Sequence, residues 1–255
     1  MSADTGGQHT LLVDEYRRAA KSEFANYSYK GLRIHALPGL HEFTFARVKE
    51  HVKMGATILD LAAGSGAMSK RLIDSGYNVI ATDYVVENFR LHDSVPFFMA
   101  DLNAGFSKGR EQNFDAIVAS EIIEHLENPR HFARECFKLL KPEGFLILST
   151  PNVDCAASVA HFISDSTFQW FSDASYDLDG HITPLTQWQL DKCFKEAGFD
   201  AVWNGSFGDR HGLLRGSPRL LLLSKLIDKL MKRKNELRNQ IFVSVMRRGD
   251  LSDDV

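Results

Sequence analysis

Cysteine is scarce and never paired along the chain: Cys136, Cys155 and Cys193 stand alone among 255 residues, with no Cys-x-x-Cys spacing. That argues against a thiolate zinc site or a disulfide framework and suits a reducing cytosol. No stretch of about 18 uninterrupted apolar residues occurs, so no spanning helix is expected. The opening MSADTGGQHTLLVDEYRRAA has no basic start followed by an apolar run, so no secretory signal is read there and a cytoplasmic location is expected. Internal repeats, low-complexity tracts and an obvious linker are also missing. The formal net charge of −3 says nothing about partners by itself. One domain over 1–255 is the expected organisation.

What is present is an alternation. TILDLA (57–62), NVIATD (78–83), VPFFMA (95–100), FDAIVAS (114–120) and GFLILST (144–150) read as short buried strands. Helix candidates such as 66–75 and 130–140 lie between them, and KPEG (141–144) separates a helix from the next strand. Strands alternating with helices predict an α/β fold with a doubly wound parallel sheet. Residues 151–180 are poorly periodic and predict a loop-and-helix insert over one end of the sheet. A helix follows at 183–199, with Thr186 as its cap and Gly198 closing it, and AVWNGSF (201–207) and IFVSVMRR (241–248) supply the final strands.

The stretch ILDLAAGSGAMSKRLIDSGYNVIATD (58–83) carries the strongest chemical signal. A strand that ends in a glycine turn and opens a helix gathers backbone N–H groups at one point. Gly64 and Gly66 let a ligand approach the backbone closely. Asp83 closes the next strand, where a carboxylate can accept hydrogen bonds from ribose hydroxyls. A dinucleotide fingerprint needs a third glycine three residues after Gly66, and Ser69 stands there. Asp60, just before the turn, would repel a pyrophosphate but suits a ligand with an ammonium group and no phosphate.

These features resemble the class I S-adenosylmethionine-dependent methyltransferases. LDLAAGSG is similar to their first motif, with Ala62 in place of its first glycine; ATD, ending at Asp83, is similar to the acidic second motif. MADLN (99–103), FDAIVASEIIEHLENP (114–129) and LLKPEGFLILSTPN (139–152) resemble the following motifs in order. The resemblance implies a Rossmann-like seven-stranded sheet, last strand antiparallel, flanked by helices. It also implies S-adenosylmethionine lying across the strand ends, bound by Asp60, Ala62, Gly64, Gly66, Asp83, Tyr84, Asp101, Leu102 and Ser120. Asp101 would accept the adenine amino group.

Beyond the fourth strand the sequence runs SEIIEHL. Glu121, Glu124 and His125 are spaced i, i+3, i+4, so a helical turn beginning at about Glu121 would point all three to one face. Two carboxylates and an imidazole are good ligands for a divalent metal, and His181 in DGHITPLT is placed to add a fourth. Ubiquinone-pathway O-methyltransferases and small-RNA 2′-O-methyltransferases look alike here. The resemblance implies a divalent metal, often magnesium, on Glu121, Glu124, His125 and His181, gripping the acceptor hydroxyl. His125, with Glu124, could instead serve catalysis without metal, His125 as general base, or the cluster could be structural. Methyltransferases of surface-polysaccharide pathways are also similar. The expected acceptor is therefore a hydroxyl on a small molecule, a lipid-linked intermediate or a glycan. No RNA-binding module is recognisable, which sets an RNA 2′-hydroxyl behind these. A protein that binds the cofactor without chemistry is the alternative from another class, and the Glu–Glu–His cluster argues against it.

Residues 210–248 hold eleven Lys or Arg against two acids, Asp228 and Glu236. Within 210–238, Leu220, Leu223, Leu226, Ile227 and Leu230 are expected on one helical stripe, with Lys225, Asp228, Lys229 and Lys232 opposite. A lid packed on the sheet, peripheral contact with the inner face of an anionic membrane, and contact with another polyanion all fit that basic amphipathic pattern. An N-terminal helical cap over 1–45 is expected to cover the pocket, with Tyr27 and Tyr29 lining it or simply packing.

Overall fold

The structure is a computed structural model, and it describes residues 27–211 and 214–249. Its elements are β1 (Ser28–Tyr29), β2 (Leu32–Arg33), α1 (Leu40–His51), β3 (Thr57–Leu61), α2 (Ala67–Ile73), β4 (Asn78–Asp83), β5 (Phe97–Met99) and β6 (Phe114–Ser120). There follow α3 (Pro129–Leu139), β7 (Leu140–Pro151), α4 (Ala156–Asp165), α5 (Asp173–Asp179), α6 (Gln187–Glu196), β8 (Phe199–Phe207), α7 (Pro218–Leu230) and β9 (Ile241–Arg248).

Seven strands form one sheet in the order β5-β4-β3-β6-β7-β9-β8. Pairing is parallel from β5 through β7. Only β9 is reversed, antiparallel to both β7 and β8. Successive strand residues face opposite sides of a sheet, and the apolar runs are buried on both. Leu59, Leu61, Ile117, Ala119, Leu146 and Leu148 pack with Phe132 and Cys136 of α3 and Leu190 and Phe194 of α6. Ile58, Val79, Ala81, Ala116, Val118 and Ile147 pack with Val48 and Val52 at α1 and Met68 and Leu72 of α2. Each such side chain, fully buried, contributes roughly 1.5–3 kcal/mol.

Local signals set the boundaries. Pro129 stands in the first turn of α3, and the Asn128 side chain accepts from the His131 N–H. Thr186 and Gln189 form a reciprocal capping box at α6. Gly198 ends that segment at φ +100°, where a Cβ would stand 2.6 Å from Phe137 Cε2.

Several expectations need correction. The strand expected over 95–100 is only Phe97–Met99. β7 begins earlier than 144, at Leu140, because Leu140 already pairs with Phe114 before an irregularity resets the register at Phe145. Of the N-terminal cap, residues 1–26 lie outside the described residues; Tyr29 belongs to a β-hairpin and Tyr27 directly precedes it. Both tyrosines anchor that hairpin. Tyr27 Oη donates to Glu42 Oε2 (2.6 Å), and Tyr29 Oη donates to Asp74 Oδ2 (3.1 Å).

Only Pro218–Leu230 of the basic insert is a long helix, and its buried stripe differs from the expected one. Leu220, Leu221, Leu223 and Ile227 pack against Cys155, Ala157 and Ala160. Leu222, Leu226 and Leu230 are 71%, 55% and 73% exposed. Asp228 turns back to pair with Arg210 and Arg238. No helix among the described residues is long and apolar enough to cross a membrane.

Candidate active site

β3 delivers its C-terminal end to a turn in which Ala62, Gly64 and Gly66 all have positive φ, at 62°, 53° and 92°. Gly66 is required twice over: a Cβ there would lie 3.0 Å from both Leu91 Cδ1 and Phe89 Cε2. Ser69, at the place of a third glycine, is fully buried and donates from Oγ to Asp60 Oδ2 at 2.5 Å. Burial pushes the Asp60 carboxyl up to about 6; the bond from Ser69 opposes this and the nearby Asp83 charge adds to it.

Asp83 closes β4 and is buried. Its Oδ2 accepts the Gly64 N–H (2.7 Å) and its Oδ1 the Val85 N–H (2.9 Å). Burial raises its pKa, and the hydrogen bonds from Val85, Gly64 and Tyr84 pull it back. The carboxylate therefore staples the glycine turn to the next strand while keeping lone pairs for a further donor. Ala100 N–H donates to the Asp83 carbonyl (3.2 Å), which brings Asp101 and Leu102 beside this turn. Asp101 Oδ1 accepts the Asn103 N–H (2.9 Å), and Leu102 is buried. Tyr84 is half-buried next to Asp83, and Ser120 ends β6 with its Oγ lacking a hydrogen bond among the described residues. Every expected cofactor residue thus stands along the C-terminal edge of the parallel strands.

The acceptor side is built differently from the expectation. Glu121 is not on a helix: it sits at φ +52°, and the short 3-10 turn starts only at Ile123. The left-handed backbone lets its N–H donate to the Ser149 carbonyl (3.0 Å) while its Oε1 accepts from Ser149 Oγ (2.8 Å). A non-glycine residue held in this region stores strain, as functional sites often do. Glu124 is fully buried, its Oε2 accepting from Thr150 Oγ1 at 2.9 Å. Its carbonyl accepts the N–H groups of Ile182 (3.1 Å) and Thr183 (2.9 Å), which pins the His181 loop alongside. The His125 and His181 rings meet edge to face, centroids 4.7 Å apart. His181 Nδ1 lies 2.8 Å from the Trp170 carbonyl; donating there leaves Nε2 with its lone pair.

One ligand atom from each of Glu124, His125 and His181 lies within 4.8 Å of the others. Glu121 stands outside that trio, bonded to Ser149. Burial dominates the electrostatics of all four. It lifts Glu121 to about 7 against the bond from Ser149. It lifts Glu124 well above the usual carboxyl range, with the Glu121 charge adding. It lowers His125 to about 3, with His181 adding, and lowers His181 as well. An imidazole so hard to protonate is a poor match to a general base working near neutrality, but as a neutral donor it suits a cation.

Two residues went unnoticed in the sequence. Ser149 and Thr150 hold the two glutamates; the visible signal was a pair of hydroxyls, STP, at the end of a strand. A third group, the hairpin before α1, leans on the glycine turn, with Ser65 Oγ donating to the Arg33 carbonyl at 2.6 Å.

A family model described as a methyltransferase domain matches residues 29–203, and the chain belongs to that family. Its class is that of the S-adenosylmethionine-dependent methyltransferases. The chain is 25% identical over 174 residues to a ubiquinone biosynthesis O-methyltransferase of Cereibacter sphaeroides, covering 61% of this chain and 69% of that one. It is 33% identical over 132 residues to the protein of that name from Xanthomonas axonopodis, covering 49% and 54%, so it spans about half the length of that relative. It is also 33% identical over 109 residues to the mitochondrial protein of Rattus norvegicus, covering 38% of this chain and 31% of that one. The fold is shared with a methyltransferase from Mesorhizobium loti (TM-score 0.59, 17% identity, 84% of this chain and 100% of that one). It is shared equally with the [4+2]-cyclase SpnF (TM-score 0.58, 15% identity, 95% and 94%), so the fold alone does not fix the reaction.

Proposed function

We propose that the chain transfers a methyl group from S-adenosylmethionine to a hydroxyl oxygen of a small-molecule acceptor, with a divalent cation, magnesium foremost, held by Glu124, His125 and His181. The observation that carries this reading is the convergence of those three groups within 4.8 Å. The donor set fits: Glu124 Oε1 is buried and accepts no hydrogen bond among the described residues, a costly state that a cation relieves. When bound, the cation supplies Lewis acidity that lowers the pKa of the acceptor hydroxyl.

The chain's own residues supply the positioning that an in-line displacement at a sulfonium demands. Asp83 receives the ribose hydroxyls and Asp101 the adenine amino group. The turn from Ala62 to Gly66 lets the cofactor lie against the backbone, with Asp60 on its ammonium side and Tyr84, Leu102 and Ser120 bordering it. Glu121, locked on Ser149 by a 2.8 Å hydrogen bond, follows Ser120 directly and precedes the cation ligands Glu124 and His125 along the chain. The relatives' names favour a phenolic hydroxyl as acceptor, ahead of a sugar or lipid-linked hydroxyl. The outward stripe of Leu222, Leu226 and Leu230, with Lys225 and Lys229 on the same helix, supports peripheral contact with an anionic membrane. Phe162 and Ile163 extend the exposed apolar surface on α4, the helix against which α7 packs.

Calorimetric titration with manganese tests the cation site. One site is expected in the wild type and none in Glu124→Gln or His181→Ala. Absence of binding by the wild type, or retention by both variants, overturns the metal assignment.

A further inference from the structure

The chain between α4 and His181 holds polar side chains that the site described above leaves idle. α4 ends at Ser166, in a left-handed conformation at φ +58°. Gln169 is then fixed by its backbone, its N–H donating to the buried Ser158 Oγ of α4 at 3.1 Å. Trp170 is fixed by its carbonyl, which lies 2.8 Å from Nδ1 of His181. The Phe171 ring stands against the same imidazole, centroids 5.6 Å apart. Residues 169–171 therefore border one ligand of the proposed cation site.

Three polar atoms on this segment have no use in the fold. Gln169 is only 5% exposed, yet neither its Nε2 nor its Oε1 makes a hydrogen bond among the described residues. Trp170 Nε1 is equally shut from solvent and equally without a partner there. Buried donors and acceptors are normally paired, because the water contacts they lose must be replaced. A glutamine left unpaired at its amide is a poor choice for packing, since methionine fills a similar volume without that cost. The backbone points the same way. Trp170 sits at φ +72°, a left-handed conformation that a bulky side chain rarely adopts, and such strain gathers at ligand-binding positions.

We propose that Gln169 and Trp170 select the acceptor by hydrogen-bonding an uncharged oxygen substituent on it, a hydroxyl or carboxamide other than the hydroxyl gripped by the cation. The inventory of donors and acceptors fits such a group. Trp170 Nε1–H and Gln169 Nε2–H donate, and Gln169 Oε1 accepts. A hydroxyl or carboxamide likewise does both. An ionised carboxylate only accepts, would face Gln169 Oε1, and would find no countercharge on either residue. A site built to bond a polar group rejects the analogue lacking it, because its own buried atoms are then left unpaired.

The inference rests on the phenolic-acceptor reading above and is tested apart from it, because binding is measured without turnover. Catechol, pyrogallol, 2,3-dihydroxybenzamide, 3,4-dihydroxybenzamide and 3,4-dihydroxybenzoate are titrated calorimetrically into protein saturated with magnesium and S-adenosylhomocysteine. The wild type is expected to bind pyrogallol or one of the benzamides about tenfold or more tighter than catechol, and the benzoate no tighter than catechol. Gln169→Met and Trp170→Phe should each cut that preference to within about threefold. Both should leave the affinities for catechol and S-adenosylhomocysteine within about twofold, and Gln169→Met should melt no lower than the wild type. Equal binding of catechol and every uncharged analogue by the wild type, tightest binding of the benzoate, or a preference that survives both variants overturns the assignment. So does a loss that falls equally on all the phenols, the mark of a merely structural role. If the wild type binds the uncharged analogues selectively but transfers no methyl group to any phenol, the methyl-transfer reading falls and this one stands. If it binds no phenol, both fall.

Discussion

Replacing Asp83 by alanine separates two jobs that one carboxylate does. In the structure its oxygens hold the Gly64 N–H at 2.7 Å and the Val85 N–H at 2.9 Å. Alanine leaves both donors without that acceptor, and water can reach this edge of the sheet only in part. With about 1–3 kcal/mol for each buried polar group left unsatisfied, and partial rescue by solvent, the expected loss of stability is about 2–4 kcal/mol. The second job is proposed: accepting ribose hydroxyls. Its loss should cost a further 1.5–3 kcal/mol or so in cofactor affinity, roughly 10–100-fold. Urea unfolding of the ligand-free protein reads the first quantity. Calorimetry with S-adenosylhomocysteine, well below the lowered melting temperature, reads the second. A variant that unfolds within about 0.5 kcal/mol of wild type would refute the stapling role. One that is destabilised as expected yet binds S-adenosylhomocysteine normally would refute the placement of the ribose and leave the staple standing.

Ala62 occupies a left-handed position at φ 62°, so Ala62→Gly should gain about 0.5–1 kcal/mol once the extra backbone entropy of glycine is set against the relieved strain, read as a higher urea midpoint. Glu135 is buried, which alone would raise its pKa, but the Lys138 link and the Ser107 hydrogen bonds outweigh burial and hold it at about 2. A depressed carboxylate contributes stability above its unfolded pKa and loses it as pH falls through the folded value. Glu135→Gln should therefore cost about 2–3 kcal/mol at pH 7, a deficit that shrinks from about pH 4.5 and is nearly gone by pH 2; a deficit independent of pH would contradict the linkage. Sedimentation with phosphatidylglycerol vesicles should capture the protein at low salt and release it at high salt, and Leu222→Glu with Leu226→Glu should abolish capture. Capture that survives both changes would place any membrane contact elsewhere.

The sheet was legible because its strands are buried on both faces, so continuous apolar runs mark them. NVIATD, FDAIVAS and IFVSVMRR coincide with β4, β6 and β9 residue for residue. The cap at Thr186 was equally plain, since a capping box is a local hydrogen-bond pattern. What depended on tertiary contact was not legible. The spacing of Glu121, Glu124 and His125 suits a helix, yet the chain leaves β6 through a left-handed Glu121 because Ser149, facing Ser120 across the sheet, offers both carbonyl and hydroxyl. α7 has leucines enough for two stripes, and periodicity alone cannot say which meets α4.

The central claim is cation-assisted methyl transfer to a hydroxyl oxygen, and chelation tests it most directly. Transfer of a labelled methyl group from S-adenosylmethionine to a panel of catechols, simple phenols and sugars is followed with and without a chelator, alongside calorimetric binding of S-adenosylhomocysteine. The account predicts turnover on a phenolic acceptor that falls at least about 100-fold on chelation and returns with magnesium, while cofactor affinity stays within about twofold. Full turnover in the metal-free protein would contradict it.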